Sequence, residues 1–187
     1  AAFKVNCVQC HGSGAAGGEG YPNLNDDDWL WGGDLKAIEY TLVNGIRQHG
    51  ADKTRQSQMP SFAGAWSAAQ LDAVADHVLS LSGKAKSNPV GAQLYADNCV
   101  ACHGAAGQGD RNQGAPALND AIWLYGGTRA DIERQILGPR MGMMPAWGHR
   151  LDPVTIKMLA AYVHSLGGGE DFVEVAENPA VKVDEQP

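Results

Sequence analysis

The sequence predicts an all-α fold in which one small helical domain occurs twice in tandem. Three observations lead there. The chain repeats itself, because Cys7-Val8-Gln9-Cys10-His11 returns as Cys99-Val100-Ala101-Cys102-His103, an offset of 92 residues. Its apolar residues recur three or four apart, the spacing of a helix face, and no stretch alternates convincingly as a strand does. Its 187 residues, 44% of them apolar, suffice for two cores in domains of about 90 residues each. The same composition argues against a disordered chain, and there is no apolar run long enough to span a membrane. A net charge of −7 argues against a general nucleic-acid binder. Residues 170–187 contribute −5 of that charge, so the body is nearly balanced and the end reads as an acidic, flexible tail.

Each copy reads as three helices. In the first copy, residues 1–6 lead into the cysteine motif. Residues 35–46 follow Asp34 and line up Leu35, Ile38, Leu42 and Ile46 on one stripe. Residues 68–82 follow Ser67 and turn Leu71, Val74 and Val78 inward. In the second copy, Asn88-Pro89 supplies a cap and a first helical residue for a helix over 89–98, with Val90 and Leu94 on one face. Thr128-Arg129-Ala130-Asp131 is a capping box, and Asp152-Pro153 opens a last helix that buries Ile156, Leu159, Val163 and Leu166 and takes Met158 into its core. The expected boundaries are a first domain over 1–83, a linker over 84–88, a second domain over 89–169 and the tail over 170–187, in which Phe172 to Glu177 alternates weakly. The helix before Cys7 is shorter than the one before Cys99, so the chain reads as a piece of something longer whose remainder lies N-terminal.

Cys-x-x-Cys-His is the attachment signature of haem c. Two thiols on one helical turn reach the two vinyl groups of a porphyrin, and the following histidine lies under the iron. A disulfide framework gives no reason for a histidine after each pair. A zinc ribbon needs its cysteine pairs far closer together than Cys10 and Cys99. A thioredoxin-like pair expects a βαβ setting that is absent. The expectation is two covalent haems c, on Cys7, Cys10 and His11 and on Cys99, Cys102 and His103.

The repeat also selects sixth ligands. Pro22 to Asp26 matches Pro116 to Asp120, and Trp29 to Gly33 matches Trp123 to Gly127, both at an offset of 94. Met59-Pro60 matches Met144-Pro145 at an offset of 85, so the first copy carries nine extra residues before its methionine. A methionine thioether suits haem iron, and Met59 and Met144 stand out among five methionines. Met141 and Met143 compete for the second iron. Pro22 and Pro116 are candidates to fix the histidine rings through their carbonyls. Trp29 and Trp123 are candidates to pack on the haem or donate to a propionate. His49, in the longer stretch of copy one, is a candidate competitor of Met59. Arg47, Lys53 and Arg55 form a small basic group, facing a propionate, a donor protein or solvent. His77 and His164 read as surface or packing residues, and His149 and Arg150, after Met144, are candidates to lie near a haem edge.

The stretches Tyr21 to Gly33, Met59-Pro60-Ser61-Phe62 and Tyr162 to Glu170 resemble the dihaem subunit of cbb3-type cytochrome c oxidases, the CcoP or FixP family, over nearly the whole chain. That resemblance implies two tandem class I cytochrome c domains, each a few helices wrapped around a covalent haem. It implies His11 with Met59 on the first iron and His103 with Met144 on the second. It places the domains at the periplasmic face of the bacterial inner membrane, behind an N-terminal anchor absent here. Its implied partners are a donor cytochrome c, a monohaem subunit and the haem–copper catalytic subunit of a proton-pumping oxidase. The expected function is one-electron transfer towards oxygen reduction in aerobic respiration, with no catalytic residue in this chain itself. A free periplasmic carrier resembling cytochrome c4 is the alternative. A dihaem peroxidase, or a sensor that switches Met59 for His49, stands behind it.

Overall fold

A computed structural model describes residues 1–171 of the chain. The weakly alternating segment from Phe172 and the rest of the acidic tail lie outside the described residues. Among those described, the secondary structure is eight α-helices joined by long loops, with isolated bridges and no sheet.

Local chemistry fixes the helix ends. Helix α3 (Leu35–Asn44) starts where the Asp34 carboxylate accepts from the Lys36 and Ala37 amides. Helix α4 (Ala68–Leu81) opens with a reciprocal capping box between Ser67 and Gln70, and α7 (Arg129–Leu137) with one between Thr128 and Asp131. Helices α5 (Pro89–Asn98) and α8 (Pro153–His164) begin with proline behind an Asn88 or Asp152 cap. The short helices α1 (Ala2–Asn6), α2 (Val8–His11) and α6 (Val100–His103) carry the approaches to the two motifs and the motifs themselves.

Tertiary packing departs from the expectation of three helices per copy. One core joins Phe3 of α1 and Ile38 and Leu42 of α3 to Ile156, Leu159, Ala160 and Val163 of α8. The other joins Val74, Val78 and Leu79 of α4 to Tyr95 of α5 and Ile132 and Ile136 of α7. The final helix of each repeat therefore packs against the motif-bearing part of the other repeat. The boundaries at 83 and 89 divide the sequence repeats, while each core draws on both.

The backbone makes this exchange twice, at equivalent positions. After Met59-Pro60, the Phe62 amide donates to Ile136 O at 3.0 Å, at the end of α7. After Met144-Pro145, the Trp147 amide donates to Leu42 O at 2.9 Å, near the end of α3. Ile46 and Met144 exchange both amide bonds, each 2.9 Å. The extra residues of repeat one form a loop that closes between Ile46 and Arg55, where the Arg47 amide donates to Arg55 O at 2.8 Å. Two aromatic rings complete the seam. Trp31 lies on Gly114 and Tyr125 on Gly20, so a Cβ at either glycine would press into the ring from the other repeat.

Several side chains depart from the sequence reading. Met158, expected in the core, is 67% exposed. Leu35 and Val90 are likewise exposed, and Ile46 lies beyond the end of α3. Glu170, expected in a flexible tail, is held: it pairs with Arg111 at 2.7 Å and accepts from the Gly33 amide at 2.7 Å.

Candidate functional site

Each Cys-x-x-Cys-His segment is one helical turn. The His11 amide donates to Cys7 O and the His103 amide to Cys99 O, both at 2.9 Å, which sets two thiols and an imidazole on a single turn. His11 Nδ1 lies 3.1 Å from Pro22 O, and His103 Nδ1 lies 3.0 Å from Pro116 O. Burial lowers the pKa of both histidines, only partly opposed by these carbonyls. The rings are therefore neutral, and a proton on Nδ1 donated to the proline carbonyl leaves the Nε2 lone pair for a metal. Burial, and then the neighbouring thiol, raises the Cys7 pKa and pushes that of Cys99 up to about 11, so both are thiols rather than thiolates.

These turns open on two cavities. The first, of about 770 Å³ including its open mouth, is walled by Cys7, His11, Leu24, Ile38, Leu159 and Met144. The second, with about 1130 Å³ including its open mouth, is walled by Cys99, Cys102, His103, Leu124, Phe62 and Met59. The methionines are thus crossed. Met144 faces the cavity of His11, and Met59 faces the cavity of His103. This corrects the pairing within each repeat that the resemblance implied, and its cause is the exchange of the Met-Pro segments onto α3 and α7. Leu30 lines both cavities, so they adjoin at its side chain.

The remaining residues sort by these walls. Met141 lines the second cavity at its solvent edge, and Met143 is exposed. His49 is exposed and lines neither cavity. Trp29 lines the first cavity, but its indole N–H is engaged with Gly168 O at 2.6 Å rather than free for a ligand. Trp123 packs on the second core under Lys84, its indole N–H buried without a partner. His77 donates to or accepts from Ser87 and packs against Tyr95, and His164 Nε2 lies 2.9 Å from Glu170 O. Lys53, His149 and Arg150 are exposed.

Sequence reasoning missed two residues. Trp31 lines the first cavity, and its buried indole N–H finds no acceptor in the protein. Its signal was present in Trp-Leu-Trp, but the second repeat has Tyr125 at the equivalent place, so matching favoured Trp29. Asp28 lines the same cavity. Burial first, and then Asp120 and Asp26, raise its pKa to about 6 against the opposing Arg111.

The walls fit haem c. The second cavity presents two thiols and a neutral imidazole, a thioether and an apolar lining; the first presents Cys7, a neutral imidazole, a thioether and an apolar lining, with Cys10 exposed on the same turn. The orphaned Trp31 donor stands where a bound acid group would accept from it. Helices without a sheet, two attachment turns and two His–Met pairs define a protein of the cytochrome c class.

The comparisons carry this further. Residues 1–82 match the cytochrome c family, and residues 87–163 match the family described as cytochrome c oxidase, cbb3-type, subunit III. The chain is 52% identical over 175 residues to the cbb3-type cytochrome c oxidase subunit CcoP of Cereibacter sphaeroides, covering 91% of this chain and 60% of that protein. It is 52% identical over 172 residues to subunit FixP of Sinorhizobium medicae, covering 90% of this chain and 59% of that one. For FixP of Bradyrhizobium diazoefficiens the figures are 50% over 174 residues, 90% and 60%. The chain belongs to the CcoP/FixP family, and it spans about 60% of the length of these relatives.

Proposed function

We propose that this chain carries two haems c and passes electrons, one at a time, between a donor cytochrome c and the other subunits of a cbb3-type oxidase at the periplasmic face of a bacterial membrane. The observation that supports it most is the pair of crossed sites, each with an attachment turn, a neutral histidine and a methionine. Haem bound in each would supply a one-electron iron couple. The chain's residues do the rest. Cys7 and Cys10, and Cys99 and Cys102, anchor the groups. His11 and His103 offer Nε2 because Pro22 and Pro116 hold Nδ1. Met144 would supply the thioether of the first site and Met59 that of the second, so that haem held there would keep no open position for a substrate. The apolar walls exclude water, and the two sites adjoin at Leu30, which lines both. Among the described residues no helix is long and apolar enough to cross a membrane.

Two measurements test this. With haem attachment restricted to the second motif by Cys7→Ala/Cys10→Ala, Met59→Ala should abolish the spectrum of a methionine-ligated ferric haem, and Met144→Ala should preserve it. The reverse result would refute the crossed sites. Isolation of the full-length protein from native membranes tests the oxidase reading: a haem–copper subunit and a monohaem cytochrome should accompany it in fixed ratio.

A further inference from the structure

Arg47 stands apart from the other buried or paired arginines. It follows Ile46, whose backbone holds Met144, yet its side chain lies in the wall of the other cavity, with Met59 and His103. Its φ of 51° is in the left-handed region, which residues other than glycine seldom hold without a compensating interaction. The guanidinium is half-buried. Nε donates to Gly142 O at 2.6 Å and an Nη donates to Ser57 Oγ at 2.8 Å.

No carboxylate among the described residues pairs with it, and burial lowers its pKa. Arg111, Arg129, Arg134 and Arg140 each have an acidic partner. Arg55 stacks on Trp31 at 5.2 Å and on Tyr40 at 4.8 Å, away from the cavity. A half-buried cation without an anion is costly unless something completes it. The second cavity contains no Asp or Glu at all. Its charged and titratable lining is Arg47, Arg140 (which pairs with Glu19), Tyr125, His103 and the two cysteines.

We propose that Arg47 is the anion-binding residue of the second cavity, pairing with a propionate carboxylate of the haem held on Cys99, Cys102, His103 and Met59. This rests on the two-haem reading above. The residue then has a second effect as a positioning group. It grips Gly142, two residues before Met144, and Ser57, two residues before Met59. The propionate of one haem thereby braces the methionine loops of both.

The test uses the full-length dihaem protein with Arg47→Gln, Arg47→Lys and, as a control, Arg55→Gln. Haem content after denaturation reports on the two-haem reading, and a wild type with one haem overturns that reading independently of Arg47. Resonance Raman carboxylate-bending bands and a redox titration report on the pairing. Arg47→Gln should shift one propionate band and move one reduction equilibrium roughly tenfold towards the oxidised form, about 59 mV for a one-electron couple. Arg47→Lys should restore most of that shift, and Arg55→Gln should cause none. The methionine-to-iron charge-transfer band should persist throughout, separating loss of the ion pair from loss of Met59. Should Arg47→Gln keep both haems and both methionine ligands with unchanged propionate bands, Arg47 is a brace for the loops only and the proposal falls. If Arg47→Gln loses haem, Arg47→Lys decides alone: wild-type bands sustain the proposal, and shifted bands with the wild-type potential overturn it.

Discussion

The two cavities come from one repeated sequence and share their histidine geometry to within 0.1 Å at the proline carbonyl, 3.1 Å against 3.0 Å. Their charges differ. The first has Asp28 in its wall and no base, whereas the second has Arg47 and Arg140 and no acid. The position equivalent to Asp28 in the second repeat is Ile122, which is exposed. The equivalent of Arg140 is Arg55, which has turned onto Trp31 and Tyr40. Duplication has thus preserved what holds the ring of each histidine and altered what surrounds the metal. A cationic wall favours the less positive, reduced iron, and an anionic wall favours the oxidised one. The second site is therefore the expected electron sink, with the higher potential in a redox titration that resolves the two.

The largest test of the contrast is structural. Ile156 sits in α8, in the second repeat, but in the first core, and is 2% exposed. Ile156→Ala should cost about 3 kcal/mol and release the spectrum of the His11 site before that of the His103 site during thermal unfolding. Simultaneous release would break the picture of two separately built cores.

Asp28 gives the next effect. Its carboxyl titrates near 4 in the unfolded chain and near 6 in the folded one. Between those values the folded state holds more protons, so stability falls as pH rises through the window. Asp28→Asn should flatten that slope and stabilise the protein at neutral pH by about 1.5 kcal/mol, after discounting for the side chain's solvent-facing half. It should also raise the potential of the first site and narrow the gap to the second. An unchanged gap would show that the Asp28 charge does not reach the first iron.

The smallest effect compares the two matched tryptophans. Trp29→Phe removes the bond to Gly168 O and should cost about 1 kcal/mol. Trp123→Phe removes an indole N–H that has no partner in the protein, and should cost less in chemical denaturation of the haem-free chain. If a propionate takes the Trp123 proton, the order reverses once haem is attached.

Much of this was legible in the sequence. Caps at Asp34, Ser67, Asn88, Thr128 and Asp152 mark five helix starts where the structure has them. The two motifs and the repeated Met-Pro bring thiol, imidazole and thioether to the cavities. The assignment of each methionine to a cavity was not legible. Exchange of equivalent segments between two similar repeats leaves every local interaction unchanged, because Phe62 on Ile136 and Trp147 on Leu42 are the same contact made twice. Periodicity also carries no information about which neighbour covers a face. Met158 falls within the apolar pattern of α8, yet it is 67% exposed while Ile156, Leu159 and Val163 are buried. Trp31 and Asp28 escaped because repeat comparison rewards residues that match, and Tyr125 and Ile122 stand at their places in the second repeat.

The crossing at Ile46 and Met144 also sets an order on how the molecule comes into being. A chain emerges from its N-terminus first. The attachment turn at Cys7–His11 precedes the whole second repeat, yet the residue that closes its site is Met144, within that repeat. The turn at Cys99–His103 emerges with its closing residue, Met59, already made. The second site thus has its thiols, imidazole and thioether once its own motif arrives, while the first lacks its thioether until Met144 follows. The earlier motif thus receives its thioether later than the motif that follows it, and a chain cut short of Met144 loses the closing residue of its first motif.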